Sequence, residues 1–194
     1  MDRVHDLQSV FRTVLLSMSR PGVISSVADE AAKVNLSSPC YSGTLLVALM
    51  LLDTEVSFCA VSPRAAEFTR LFGSLTYAKS KPCHDADYIF VLADASGEAR
   101  DAALSVAKTG LLTHPHRAAT VIMEAQQITD DEGLVLRGPG IQSEHIVAIQ
   151  TAGEWVGIRA EQNREYPLGI DLIFLDADAR LICIPRTTTI EERR

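Results

Sequence analysis

Asp171, Arg186, Thr187, Thr188 and Arg137 are the residues whose types and placing could serve a ligand. Four of them frame residues 167–188, PLGIDLIFLDADARLICIPRTT. Two apolar runs, 170–175 and 181–184, flank the polar segment Asp176-Ala177-Asp178-Ala179-Arg180. Short apolar runs around turn residues predict a β-hairpin. Both runs are apolar on both faces, so both strands are expected to be covered on both sides. Pro167 and Gly169 mark the entry and Pro185 the exit. With an even-numbered loop, Asp171 would lie directly opposite Arg186, and opposed charges stabilise a pair modestly. A charge at a covered strand end needs such a partner. One reading is a structural salt bridge that pins register. The other is an anion site, in which Arg186 and the hydroxyls of Thr187 and Thr188 face a phosphate or a partner's carboxylate.

Arg137-Gly138-Pro139-Gly140 offers a second phosphate-like pattern. Glycine lets backbone approach a ligand, and arginine suits phosphate. The dinucleotide fingerprint is incomplete, however, because Ser143 stands at its third glycine and Pro139 lacks an amide donor. The segment reads as a tight turn between two strands. Cys83-His84-Asp85 and His114-Pro115-His116 lack the helical i, i+4 or C-x-x-C spacing of a dedicated zinc site, so no metal is expected. His145, near the glycine turn, reads as a surface or lining histidine. There is no G-x-S-x-G elbow. Lys33, Lys79, Lys81 and Lys108 all sit in polar or helix-end contexts, and none has the desolvated setting of a Schiff-base amine. No cofactor is expected, pyridoxal phosphate included.

The elements that must hold these residues follow from periodicity. Leu7, Val10, Phe11, Val14, Leu15 and Met18 form one apolar stripe and predict a helix over 4–19. Arg20-Pro21-Gly22 ends it, and 22–27 reads as a strand. Residues 28–39 show no period, whereas 41–52 is apolar nearly all round and predicts a buried helix with Ser42 as its cap. Strands are expected at 55–61, 74–78, 88–93, 120–124 and 134–137. Helices are expected from Ser62-Pro63 to Gly73, over 97–108 behind Ser96, and after the capping-box spacing Thr151 to Glu154. Helix and strand interleave throughout. That predicts a single three-layer α/β domain, residues 1–194, with helices on both faces of one mixed sheet. The ordered core is expected over about 4–188, followed by a short mobile tail.

Composition bounds the function. A net charge of −7 argues against a protein that grips nucleic acid. No run reaches the ~18 apolar residues of a membrane helix. The charged start Met1-Asp2-Arg3 lacks a signal h-region, so the cytoplasm is the expected compartment. Cys40, Cys59, Cys83 and Cys183 form no C-x-x-C pair; a disulfide framework is not expected, and Cys59 and Cys183 read as small core residues.

Several segments combine in order: Phe11-Arg12, Met18-Ser19, Pro21-Gly22-Val23-Ile24, Asp53-Thr54-x-Val56, Leu136-x-Gly138-x-Gly140-Ile141, PLGIDLI from Pro167 and IPRTT from Ile184. From about Val4 to Glu191 this series resembles the H subunit of the bacterial carbon–phosphorus lyase complex. The resemblance implies a fold like a truncated pyridoxal-phosphate-dependent transferase that binds no pyridoxal phosphate. It implies a homodimer in isolation, and G, I and J subunits as partners in a core complex. That complex converts phosphonate and ATP into ribose 1-phosphonate 5-triphosphate. The resemblance assigns no catalytic residue to this chain. The rival reading is a stand-alone enzyme or binding domain for a phosphorylated small molecule, using Arg186, Arg137 and the glycine turn.

Overall fold

A computed structural model describes Asp2 and residues 4–193 of the chain. The elements are α1 (His5–Ser19), β1 (Ser25–Ser26), α2 (Ala28–Ala31), α3 (Ser42–Leu51), β2 (Ser57–Val61), α4 (Ala65–Thr76), β3 (Lys79–Ser80), β4 (Tyr88–Val91), α5 (Gly97–Val106), β5 (Thr120–Glu124), β6 (Gln127–Arg137), β7 (His145–Gln150), α6 (Trp155–Gln162), β8 (Asp171–Leu175), β9 (Arg180–Ile184) and β10 (Thr189–Glu192). Among the described residues they form two sheets. A seven-stranded mixed sheet runs β1-β9-β8-β5-β4-β2-β3, and a three-stranded antiparallel sheet runs β10-β6-β7. The fold is α/β.

Side-chain alternation splits the core into two layers. Phe58, Phe90, Ile122 and Ile173 face α1, α3 and α4. Ile89, Val121, Leu172 and Phe174 face α5, α6 and the small sheet. The central strands read as continuous apolar runs because both faces are covered. On the first face Phe68 stacks between Phe72 and Phe90, with ring centroids 4.3 and 5.1 Å away. On the second, Trp155 lies 4.7 Å from Phe174 and seats α6 on the hairpin. Each such ring, fully buried, contributes about 1.5–3 kcal/mol.

Several expectations are corrected. One mixed sheet was expected, but residues 127–150 fold back as a hairpin and, with β10, build a second sheet. The expected mobile tail is strand β10, paired with β6 from Thr189–Arg137 to Glu192–Leu134. Residues 74–78 are not a strand: α4 continues through Gly73 to Thr76, because Tyr77 adopts the left-handed conformation that closes it, at φ 60°. Ser42 is the first residue of α3 rather than its cap. The strand expected at 22–27 shrinks to Ser25–Ser26, and α2 forms in a stretch without a period. Glu154 precedes α6 without a capping bond. Ser96 does cap α5, accepting from the Ala99 amide at 3.2 Å.

The cysteine expectation is also corrected. Cys59 and Cys83 form a disulfide, with Cα atoms 5.2 Å apart. Their separation of 24 residues carries no pairing signal; the approach of the loop before β4 to β2 creates the contact. Cys183 is buried in the core as expected, and burial pushes its thiol up to about 12.

Candidate functional site

The β8–β9 hairpin positions the site. Its register pairs Leu172 with Ile184 and Leu175 with Leu181. Five residues, 176–180, therefore lie between the last pair, with Ala179 in the left-handed region at φ 57°. An odd-numbered loop shifts the alignment by one residue, so Asp171 lies across from Pro185 and not from Arg186. The expected ion pair forms nonetheless. The chain leaves the ladder after Ile184, and Arg186 folds back over Asp171. The Arg186 amide donates to Asp171 Oδ1 at 2.7 Å, and Nε reaches both carboxylate oxygens at 3.2 Å. Arg186 Nη2 adds a short bond to Oδ2. Nη1 donates to the Pro115 carbonyl at 2.9 Å. The two side chains are only 20% and 16% exposed.

A second arginine lies behind this pair, and sequence reasoning missed it. Trp155 and Arg159 are the two buried residues of α6, one turn apart on the same face. Trp155 anchors the helix, and Arg159 is thereby driven under the hairpin exit. Its side chain is 3% exposed. Nη2 donates to the carbonyls of Pro185 at 2.7 Å and Thr188 at 3.0 Å. Nε is buried and has no hydrogen-bond partner. Among the described residues no carboxylate bonds it. Burial pulls its pKa down to about 10, and Asp171 opposes that pull without touching it. The signal in the sequence was a charge on the Trp155 face of a short helix.

Asn163, at the end of α6, clamps the entry of the hairpin. Its Oδ1 accepts from the Ile170 amide at 2.8 Å, and Nδ2 donates to the Ile170 carbonyl at 3.1 Å. The Tyr166–Pro167 peptide just before is cis. Thr188 is 2% exposed, and its hydroxyl has no partner. Arg159, Asn163, Arg186 and Thr188 share one cavity of about 210 Å³, walled by Val156 and Ile190.

Of the residues expected to act together, Asp171, Arg186 and Thr188 converge. Thr187 is exposed and does not line this cavity. Arg137 sits on the neighbouring strand β6, its guanidinium held by Glu191 at 2.7 Å and Glu144 at 2.8 Å. The glycine turn serves packing. Gly138, at φ 143°, leaves room for the 187–188 backbone: a Cβ there would sit 2.9 Å from the Thr187 carbonyl oxygen. Gly140, at φ 85°, packs on Ser19 and Pro21. Gly22 abuts His145. Segments far apart in sequence thus meet around the hairpin exit.

Several other polar groups are accounted for locally, whereas Arg100 on α5, 1% exposed, keeps Nε and Nη1 without a partner among the described residues. Cys83 is tied to Cys59, and Asp85 pairs with Lys81 at 2.8 Å, which separates the Cys-His-Asp triplet. Lys108 pairs with Asp87 at 2.6 Å. Glu124, buried at the end of β5, accepts from the Tyr41 amide at 2.6 Å and the Ala93 amide at 2.8 Å. Burial raises its pKa, and these two bonds draw it back. Both oxygens are occupied, so Glu124 fastens α3 and the loop after β4 to the sheet.

Comparison with known proteins identifies the relatives of this arrangement. A family model described as bacterial phosphonate metabolism protein (PhnH) matches residues 1–191. The chain belongs to this family. The chain is similar to a putative C-P lyase subunit protein, HtxG, of Stutzerimonas stutzeri, 30% identical over 94% of this chain and 85% of that protein. It is also similar to the alpha-D-ribose 1-methylphosphonate 5-triphosphate synthase subunit PhnH of Rhizobium meliloti (strain 1021), 28% identical over 98% of this chain and 92% of that protein. The phosphonate metabolism family thus spans all the segments that meet at the hairpin exit, from Pro21-Gly22 to the arginine and threonines after β9.

Proposed function

We propose that this chain is a non-catalytic subunit of a carbon–phosphorus lyase core complex, one that makes ribose 1-methylphosphonate 5-triphosphate in phosphonate breakdown. The carrying observation is the end-to-end match to the phosphonate metabolism family, together with the similarity to a relative named as that synthase's subunit. Its partners in this reading are the G, I and J subunits in the cytoplasm, with a homodimer when the chain is alone. A fold like a truncated pyridoxal-phosphate-dependent transferase, without its cofactor, belongs to the same proposal. The surface supports an assembling role. The apolar stripe of α1 is wider than the core needs: Val10 and Val14 are buried, whereas Phe11 and Leu15 are 52% and 57% exposed. Leu16 extends this exposed apolar flank. Such a face favours burial against another chain.

Co-expression with tagged G, I and J subunits tests the reading. The chain is expected to co-purify with them in fixed ratio. Adenine release from ATP and methylphosphonate is expected from the assembled complex and not from the isolated chain. Release by the isolated chain would favour the stand-alone enzyme instead, and failure to co-purify would remove the subunit role.

A further inference from the structure

The hairpin-exit cavity holds a buried positive charge that no carboxylate among the described residues balances. Arg159 is 3% exposed, and its acceptors are two neutral carbonyls. The nearest carboxylate, Asp171, is taken by Arg186. Burying a charge costs several kcal/mol unless an opposite charge or several hydrogen bonds offset it. Here one guanidinium donor, Nε, and one hydroxyl, Thr188 Oγ1, are both buried and unpartnered. Both residues line the same cavity of about 210 Å³. An unused guanidinium donor and a neighbouring hydroxyl are the groups that receive a tetrahedral oxyanion. Among the described residues no carboxylate-bearing one lines the cavity. Val156, Ala160 and Ile190 supply an apolar wall beside the polar end.

We propose that this cavity is a binding site for the –PO₃ group of a small organic phosphonate or phosphate. Arg159 and Thr188 hold its oxygens, Arg186 flanks it, and the apolar wall takes the substituent on phosphorus. Preference for a phosphonate rests on the subunit reading; binding of a phosphoryl oxyanion rests on the cavity alone.

Calorimetric titration of the full chain with methylphosphonate, inorganic phosphate and ATP tests this, with thermal unfolding followed in parallel. The expected result is binding of methylphosphonate and phosphate with a raised Tm. Binding of ATP alone would identify the source of the –PO₃ group as a nucleotide, in the same site. Thr188→Val keeps the side chain's shape and removes a hydroxyl that bonds nothing in the chain. It should not lower the Tm without ligand, and it should weaken binding about tenfold, the loss typical of one hydrogen bond to a charged group. Arg159→Lys should weaken it at least as much, because a point charge replaces the planar fork. No binding of any of the three, or binding unmoved by Thr188→Val, would overturn the proposal. Anion binding by a chain that fails to join G, I and J subunits would overturn the subunit reading and leave this site standing.

Discussion

The two ends of the β8–β9 hairpin carry the same chemistry to different effect. Each end has an aspartate bonded by an arginine. At the turn, Asp176 is 1% exposed and accepts from the amides of Asp178, Arg180 and Ile128 at 3.0–3.3 Å. Arg180 Nε adds a bond at 2.8 Å, and its guanidinium extends toward solvent and Asp178. Every charge there is answered locally. At the exit, Asp171 and Arg186 answer each other, but Arg159 stands behind them unanswered, next to a cavity. The contrast separates two uses of a buried charge. At this hairpin the group that holds the fold has its partners within the chain, and the group proposed to serve a ligand keeps bonding capacity unused beside a cavity. Arg100, buried elsewhere with Nε and Nη1 unpartnered, does not line this cavity, so the cavity and not the unused donor alone makes the difference.

Mutations at the two ends sharpen this contrast. The largest loss is expected from Asp176→Ala, which strips three amides and a guanidinium of their acceptor; about 3–5 kcal/mol should vanish from urea unfolding. A loss under about 1 kcal/mol would mean that the turn holds itself without its carboxylate. Asp171→Ala or Arg186→Ala should each cost about 2–4 kcal/mol, since each leaves a mostly buried charge alone. Replacing both with apolar residues should cost less than the sum, because the two changes share one interaction. Strict additivity in that cycle would show that the exit pair does not act as a unit. Should Arg186→Ala leave stability intact and abolish complex formation, the arginine would belong to an interface and not to the fold.

Smaller effects are expected at the periphery. Asn163→Ala removes the clamp on both backbone groups of Ile170 and should cost about 1–2 kcal/mol. Its loss should also weaken anion binding if the hairpin entry shapes the cavity. Arg137→Ala should change stability by less than about 1 kcal/mol, because its two carboxylate partners are well exposed and the pairs are screened. A large loss there would move Arg137 from the rim into the class of Asp176.

Much of the layered architecture was legible from local pattern. The continuous apolar runs of β4, β5, β8 and β9 mark strands covered on both faces, and the stripe on α1 marks a helix on the sheet. These signals depend on burial of one residue at a time, which composition and period report directly. The end of α4 was not legible: the helix runs on past Gly73, a residue that costs a helix about 1 kcal/mol, and closes only where Tyr77 turns left-handed and donates to the Gly73 carbonyl. Strand β10 was invisible for a related reason. Thr189 to Glu192 is polar, and its pairing depends on a partner strand about 50 residues away.

The sequence by itself put Asp171 and Arg186 at the ends of two runs that pair as a hairpin, and so made them candidate partners. Tertiary structure alone decided the rest of the site. The register fell one residue from the expected alignment because a left-handed Ala179 sits in an odd-numbered loop. Arg159 entered the pocket because Trp155, one turn earlier, packs on Phe174 and turns that face of α6 inward. Thr188 became buried because β10 pairs with β6 and draws the chain across the hairpin exit. Hydrophobic pattern specifies which faces are covered; the meeting of particular polar atoms depends on register, helix rotation and crossing chains, which are set by contacts among residues far apart in the sequence.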